Sequence, residues 1–353
     1  MNDLECKNPF FELLTCGKGL NYYRNIYNIP NYMKFDDLYV NDPRNISNLK
    51  DLTDSFAKDL FVPFIGAGPS TTLGEPNWSD LFDQLCKALN VKNVRKSKLS
   101  NGTVDYPKTF SRLFNKNLDK NRFYEKLFEV IEPKKTSATW FHKRLVQVFD
   151  SYITTNYDSP IEEAFIDVHP KRNLKKQYFS CYGLNNISNC IVYLHGHKDI
   201  NFCIIKSDDY DYFYPSISKK PGIPIVEDFL TKVFTERSVI FIGFSFKDKY
   251  IEEFLRSLNL STQLRYSHYW IISESAEIYK EIDEKVKKHM KRGENFEADN
   301  ELNNFYNGKM NIKPIVYKDK WDIFPQRLFE KLVETNPVAI KPGVISAMPE
   351  SSL

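Results

Sequence analysis

Short apolar runs alternate with amphipathic stretches along most of this chain. Leu60 to Ile65 is a continuous apolar run of buried-strand length. Beyond it Trp78, Leu81, Phe82, Leu85 and Leu89 recur at helical spacing, which predicts an amphipathic helix packed on a sheet. Pro63 removes one backbone donor from the first run, a feature of strand ends and sheet edges. A second strand is predicted at Tyr152 to Thr155, then a helix from Pro160 to Phe165 with proline in its first turn. Cys190 to Leu194, Ser238 to Ile242 and His268 to Ile272 read as further strands, the last two separated by a helix carrying Ile251, Phe254, Leu255 and Leu258. Pro314 to Tyr317 adds a final strand before a helix around Phe324 to Val333. Strands alternating with helices predict an α/β fold, a Rossmann-like parallel sheet flanked by helices.

The remaining segments set the organisation. Residues 1–50, with Pro30 and Pro43, read as a leading helical or irregular segment, and 51–335 as the main domain. Within it, about 90–136 is rich in lysine and asparagine and reads as an inserted, mainly helical module. Ser137 is expected to open a helix with a stripe of Trp140, Phe141, Leu145 and Val148. Residues 275–310 read as charged, exposed helix, and 336–353 as a flexible tail.

Composition narrows the function classes. The chain has 353 residues, 42% of them hydrophobic and 15% aromatic, enough for a packed core. With 49 basic and 46 acidic residues the net charge is +3, too small a field to support a direct nucleic-acid partner. The runs Lys171 to Lys176 and Lys285 to Arg292 read as solvated faces. The amino terminus lacks a basic start followed by an apolar stretch, and no apolar run approaches the ~20 residues that span a bilayer, so a cytoplasmic, non-membrane protein is expected. None of the 6 cysteines forms a Cys-x-x-Cys pair, which leaves no zinc ribbon or thioredoxin-type motif.

The densest candidate chemistry lies in Phe61 to Trp78, where Gly66, Gly68 and Gly74 fall between a strand and a helix. Such a turn lets backbone approach a diphosphate, whose charge backbone amides and a helix N-terminus can meet. The spacing is not the dinucleotide fingerprint, so the turn alone is weak. Three further motifs accompany it: Thr154-Thr-Asn-Tyr-Asp158, Tyr193-Leu-His-Gly196 and Ile242-Gly-Phe-Ser-Phe-Lys-Asp248. Each follows a predicted strand, the end of an open parallel sheet where ligands bind. Asn156 offers a donor and an acceptor, and His195 can take a proton near neutral pH. Each has a plain rival reading: asparagine stabilises turns, and a lone histidine is commonly a satisfied core residue. His195-Gly-His197-Lys-Asp199 also permits a metal-ligand reading, although no further ligands at matching spacing are evident and no metal is expected. Asp248 reads equally as a helix cap or a ligand contact, and Trp78 as packing on its own helix.

In chain order, Gly-Ala-Gly-x-Ser with Gly-x-Pro, Thr-x-Asn-x-Asp, His-Gly and Gly-x-Ser resembles the sirtuin-like NAD-consuming fold over about residues 60–275. It is most similar to the zinc-free bacterial antiphage branch. Asn77 and Trp78 stand where deacetylases carry Asp and Phe-Arg, and the four-cysteine zinc module of deacetylases is absent. The resemblance implies Asn156 and His195 as catalytic residues. It implies a cofactor-binding set of Gly66, Ala67, Gly68, Ser70, Thr71, Thr155, Asp158, Gly243 and Ser245. It further implies an NAD+ glycohydrolase that releases nicotinamide and ADP-ribose and drains cellular NAD in abortive infection. A homo-oligomer is expected, with a separate regulator such as a HerA-type ATPase, an Argonaute or a phage protein. Two alternatives stay open: an NAD or ADP-ribose binding sensor without catalysis, and a protein deacylase or ADP-ribosyltransferase.

Overall fold

The structure is a computed structural model that describes residues 35–335, apart from 100–101, 103, 117–118, 132–137, 182–187, 247, 262–264, 277–278, 281–309, 319–320 and 322. The expectations for residues 1–34 of the leading segment, for Ser137, for most of the charged 275–310 region and for the tail lie outside the described residues. In chain order the main elements are α1 (Pro43–Phe56), β1 (Phe61–Ile65), α2 (Gly68–Thr71), α3 (Trp78–Ala88), α4 (Tyr106–Phe114), α5 (Lys120–Ile131), α6 (Trp140–Val148), β2 (Ser151–Thr154), α7 (Pro160–Val168) and β3 (Lys175–Tyr178). They continue as β4 (Cys190–Tyr193), β5 (Gly196–His197), β6 (Phe202–Cys203), α8 (Ser207–Phe213), α9 (Pro215–Ser218), α10 (Ile225–Glu236), β7 (Ser238–Ile242), α11 (Lys249–Ser261), β8 (His268–Ser273), β9 (Ile312–Tyr317) and α12 (Phe324–Thr335).

Seven strands form one parallel sheet in the order β3-β4-β2-β1-β7-β8-β9. Alternation along each strand sends side chains to both faces, and in every strand except the edge strand β3 both are buried, which is why those strands read as apolar runs. Phe64, Val239, Phe241 and Trp270 pack on one face with Phe229, Val233 and Phe254. Tyr152, Ile191, Ile240 and Ile242 pack on the other with Leu52, Phe141, Phe165 and Phe329. The Rossmann-like parallel sheet flanked by helices is therefore the architecture observed. β1 is its central strand, not an edge. Pro63 is accommodated because pairing with β2 begins only at Phe64, while the β7 side pairs from Phe61 to Ile65.

Two packing expectations change. The buried face of α3 (Leu81, Phe82, Leu85) does not rest on the sheet. With Leu89 it joins Phe110, Leu113, Phe123 and Leu127 in a third apolar cluster that also takes in Tyr157, Cys203 and Ile205. Trp78 stacks on Tyr106 at 6.0 Å and lies 5.7 Å from Phe110, so its ring packs on α4, a neighbour that sequence reading did not assign to it. At the other end of the molecule α1 runs across residue 51 and is fixed to the β9 edge: Asn45 Nδ2 donates to Val316 O at 2.8 Å and Asn48 Nδ2 to Pro314 O at 2.8 Å.

Candidate functional site

The sheet order reverses direction around β1, whose chain neighbours in the sheet are β2 on one side and β7 on the other. In an open parallel sheet such a reversal is where a ligand crevice is expected, beyond the carboxyl ends of the strands. Gly66 to Thr71 follow β1, Thr155 to Asp158 follow β2, His195 follows β4, and Gly243 and Ser245 follow β7. All the sequence-selected residues thus come to one end of the sheet. Ala67, Thr71 and Ser245 are exposed there, whereas Ser70, Asn156, Asp158 and His195 are buried.

The glycines do something more specific than predicted. A Cβ on Gly66 would meet Gly243 O at 2.4 Å, and one on Gly68 would meet Gly243 Cα at 2.6 Å. Gly66 N donates to Ile242 O at 3.0 Å and Gly68 N to Gly243 O at 2.9 Å. Both amides are committed to the β7 turn, and α2 is a single turn of 4 residues with a correspondingly small dipole. Glycine here serves the backbone-to-backbone approach of two turns, which forms the crevice floor.

Asn156 is held from several directions. Its Nδ2 donates to Gly66 O at 3.0 Å and to Ser70 Oγ at 3.1 Å, and its backbone N donates to Thr154 Oγ1 at 3.0 Å. Thr154 Oγ1 in turn donates to Ile65 O at 3.0 Å. Its place is therefore set by the β1–β2 pairing. Behind Asn156, Asp158 is buried with Ser70 and Glu75 facing its carboxyl. Burial raises both carboxyls above the ordinary acid range, and the facing charge of Asp158 raises Glu75 further. Burial and the facing charge thus favour the protonated form of Glu75. Asp158 Oδ2 and Glu75 Oε1 are buried without a hydrogen-bond partner among the described residues. Glu75 was not singled out from the sequence; an acid between Gly74 and Pro76, inside a glycine turn, was the available signal.

His195 occupies the neighbouring position. Thr154 of β2 pairs in register with Tyr193 of β4, so Asn156 and His195 each lie two residues beyond a paired position, on strands ~4.8 Å apart. Leu194 N donates to Thr154 O at 2.8 Å and keeps the two loops together past the strand ends. The imidazole is buried, its Nε2 lies 2.9 Å from Tyr214 Oη, and Tyr210 meets it edge-on at 5.3 Å. Burial pulls its pKa down to about 3, so the ring is neutral at physiological pH. The tyrosines come from a Tyr210-Asp-Tyr-Phe-Tyr214 run that sequence reading passed over.

The second histidine of the motif is a fastener between loops. His197 Nε2 lies 3.2 Å from Ser159 Oγ, Asp199 N donates to His197 Nδ1 at 3.3 Å, and the ring packs against Tyr193 at 4.2 Å. Burial lowers its pKa, which removes ionic character from its approach to Glu162 and Asp199. Lys176 lies on a solvated face, as read from sequence, and from there bridges Glu162 and Asp199 at 2.6 and 2.7 Å. Among the described residues no group of three His, Cys, Asp or Glu side chains is arranged to hold a metal ion. Asp248 caps α11, its Oδ1 accepting from Tyr250 N at 3.0 Å, and its Oδ2 accepts from Tyr210 Oη at 3.0 Å. No helix among the described residues is long and apolar enough to cross a membrane.

Comparison with known proteins points the same way. Residues 150–298 match the family described as SIR2-like domain. The chain is 29% identical over 240 residues to NAD(+) hydrolase ThsA of Acinetobacter baumannii, covering 63% of this chain and 45% of that protein. It is 26% identical over 276 residues to NAD(+) hydrolase ThsA of Bacillus cereus, covering 76% of this chain and 53% of that protein. Defense-associated sirtuin 2 of Bacillus subtilis is 23% identical over 218 residues, 59% of this chain and 20% of its own length. The chain spans about half the length, or less, of the curated relatives it matches.

Proposed function

We propose that this chain, which is sirtuin-like in motif order and fold and carries a SIR2-like domain, is an NAD+ glycohydrolase. The reaction consumes NAD+ and water and yields nicotinamide, ADP-ribose and one proton. The observation that carries the reading is the register of Asn156 and His195 on adjacent strands above a glycine-locked floor.

The chemistry follows from charge. Cleaving the bond from nicotinamide to ribose develops positive charge on the sugar, so groups nearby must be polar and must not be cationic. Asn156 presents a fixed amide, and its carboxamide oxygen is free of the contacts made by Nδ2, suited to a ribose hydroxyl or the attacking water. His195, kept neutral by burial, adds no opposing charge and accepts the proton that water loses as it bonds to the anomeric carbon. Asp158 and Glu75 offer acceptor atoms behind the reacting centre. Gly66, Ala67, Gly68, Ser70, Thr71 and Thr155 line one side of the crevice, and Gly243 and Ser245 the other, around the rest of the cofactor.

The relatives are named as NAD(+) hydrolases and a defence-associated sirtuin. Depletion of cellular NAD in antiphage defence is the matching biological role, carried out in the cytoplasm by a homo-oligomer under a separate activator. Quantifying nicotinamide and ADP-ribose from purified protein tests the chemistry. Equal release of both without any acceptor is the expected result. Cofactor bound but never cleaved would favour a sensor, and consumption only with an acceptor would favour a transferase.

A further inference from the structure

The turn that follows β7 is fastened from the strand beyond it. Gly243 leaves β7 at φ 63° and Phe246 stands at φ 51°. That left-handed region suits glycine and strains a bulky side chain, so packing must hold Phe246 there. Its ring is buried, edge-on to Phe244 and to Trp270, each at 4.9 Å. Trp270, on the neighbouring strand β8 and itself buried, donates from Nε1 to Phe244 O at 2.8 Å. Phe244 and Phe246 are thus buried on either side of Ser245, which is exposed. A trans peptide is planar with its C=O and N–H opposed, so a Phe244 carbonyl pinned to the indole turns the Ser245 N–H away from it.

We propose that Trp270 is a positioning residue for cofactor binding: its indole holds the β7 turn, through Phe244 O and the Phe246 ring, in the form in which Gly243 and Ser245 meet the dinucleotide. This rests on the reading of the crevice as an NAD+ site. Trp270 lies in the core and acts only through the turn. From the other side the turn is interlocked with the glycines after β1, where Gly68 N donates to Gly243 O at 2.9 Å and a Cβ on Gly66 would meet Phe244 Cα at 2.7 Å. Without the indole N–H the buried Phe244 carbonyl loses its side-chain donor, and that loss favours a shifted turn. In the sheet β7 lies two strands from β2 and three from β4, about 10 and 14 Å at the usual strand spacing. The turn therefore bears on the part of the dinucleotide remote from the bond that Asn156 and His195 serve. Contacts of that kind are made alike before and during bond cleavage, so their loss raises KM and leaves kcat in place.

The test is Trp270→Phe in the full chain, which keeps an aromatic ring and removes the N–H. The expected result is a KM for NAD+ and a calorimetric Kd for ADP-ribose both raised about fivefold, with kcat for nicotinamide release within about twofold. ADP-ribose is the binding probe because it carries the diphosphate and has no nicotinamide bond to cleave. Tyr269→Phe is the control from the same strand: it loses a hydroxyl bonded to Asp51 and Ser55 on the other face of the sheet, and should lower the melting temperature without moving KM, Kd or kcat. An equal rise in KM and Kd there would reduce Trp270 to packing and overturn the proposal, as would an unchanged Kd in Trp270→Phe. Should Trp270→Phe fail to fold, Phe246→Asn takes its place, since asparagine tolerates the left-handed conformation but lacks the ring that meets the indole. The same rise in Kd is expected, and a wild-type Kd would overturn the proposal. A wild-type chain that binds ADP-ribose and never releases nicotinamide would remove the hydrolase reading instead, while the binding arm still decides the role of Trp270.

Discussion

Two neighbouring walls on one side of the crevice, the loops that carry the candidate catalytic residues, are built on opposite plans. On the β2 side Asn156 is held by a backbone carbonyl, a serine hydroxyl and a threonine hydroxyl, all referred to the central strand. On the β4 side His195 has one phenol contact inside a cage of aromatic rings. The first wall is over-determined and polar, the second is apolar with a single polar tether. That difference matches the tasks proposed for them: an amide that must not move, and an imidazole that must change its protonation state.

Substitutions at the glycine floor should have the largest effect, since Gly66 both meets the β7 turn and accepts from Asn156 Nδ2. Gly66→Ala drives a methyl into Gly243 O at 2.4 Å, a backbone atom that cannot rotate away. A loss of about 1–3 kcal/mol is expected in denaturant unfolding, together with loss of NAD binding by calorimetry.

Asymmetry between the walls is tested next. Removing Ser70 Oγ leaves Asn156 Nδ2 its contact with Gly66 O, so Ser70→Ala should lower kcat only about threefold, against about tenfold for Tyr214→Phe, which removes the hydroxyl 2.9 Å from His195 Nε2. Equal losses at the two positions would erase the distinction between redundant and single tethering.

A smaller, pH-dependent effect belongs to the polar wall. The pKa of Glu75 is raised on folding, so its stabilising protonation is complete below the unfolded-state value near 4.5 and is lost as pH rises through the folded value. Glu75→Gln cannot titrate. The melting temperature of wild type minus that of the variant should therefore fall steadily from pH 5 to pH 9, and a flat difference would show that Glu75 is not held protonated by folding. Smallest is Lys176→Ala, which breaks half-exposed pairs with Glu162 and Asp199 and should cost no more than about 1 kcal/mol in thermal unfolding.

The sheet was legible because its strands are buried on both faces and read as apolar runs bounded by turns. Six of its seven strands follow from that rule alone. β3 escaped because Lys175 and Lys176 face solvent at the sheet edge and their lysines look like surface. The module around α3 was misjudged because periodicity tells that a helix has an apolar face, not what covers it. Residues 207–236 went unread even though Val226, Phe229, Leu230 and Val233 carry helical spacing. Asn156, Asp158 and His195 were found as members of ordered motifs. Glu75 is only the variable position of Gly-x-Pro and Tyr214 belongs to no such motif, and each gains its place by contact with a residue distant in the chain: Glu75 with Asp158, Tyr214 with His195.

The central claim is that Asn156 and His195 serve one glycosidic bond from adjacent strands. It is tested most directly by following nicotinamide release and NAD binding together in wild type, Asn156→Ala and His195→Ala. The account predicts that both variants still bind NAD and that each cleaves it at least ~100-fold more slowly. Cleavage at the wild-type rate by either variant, with binding intact, would contradict it.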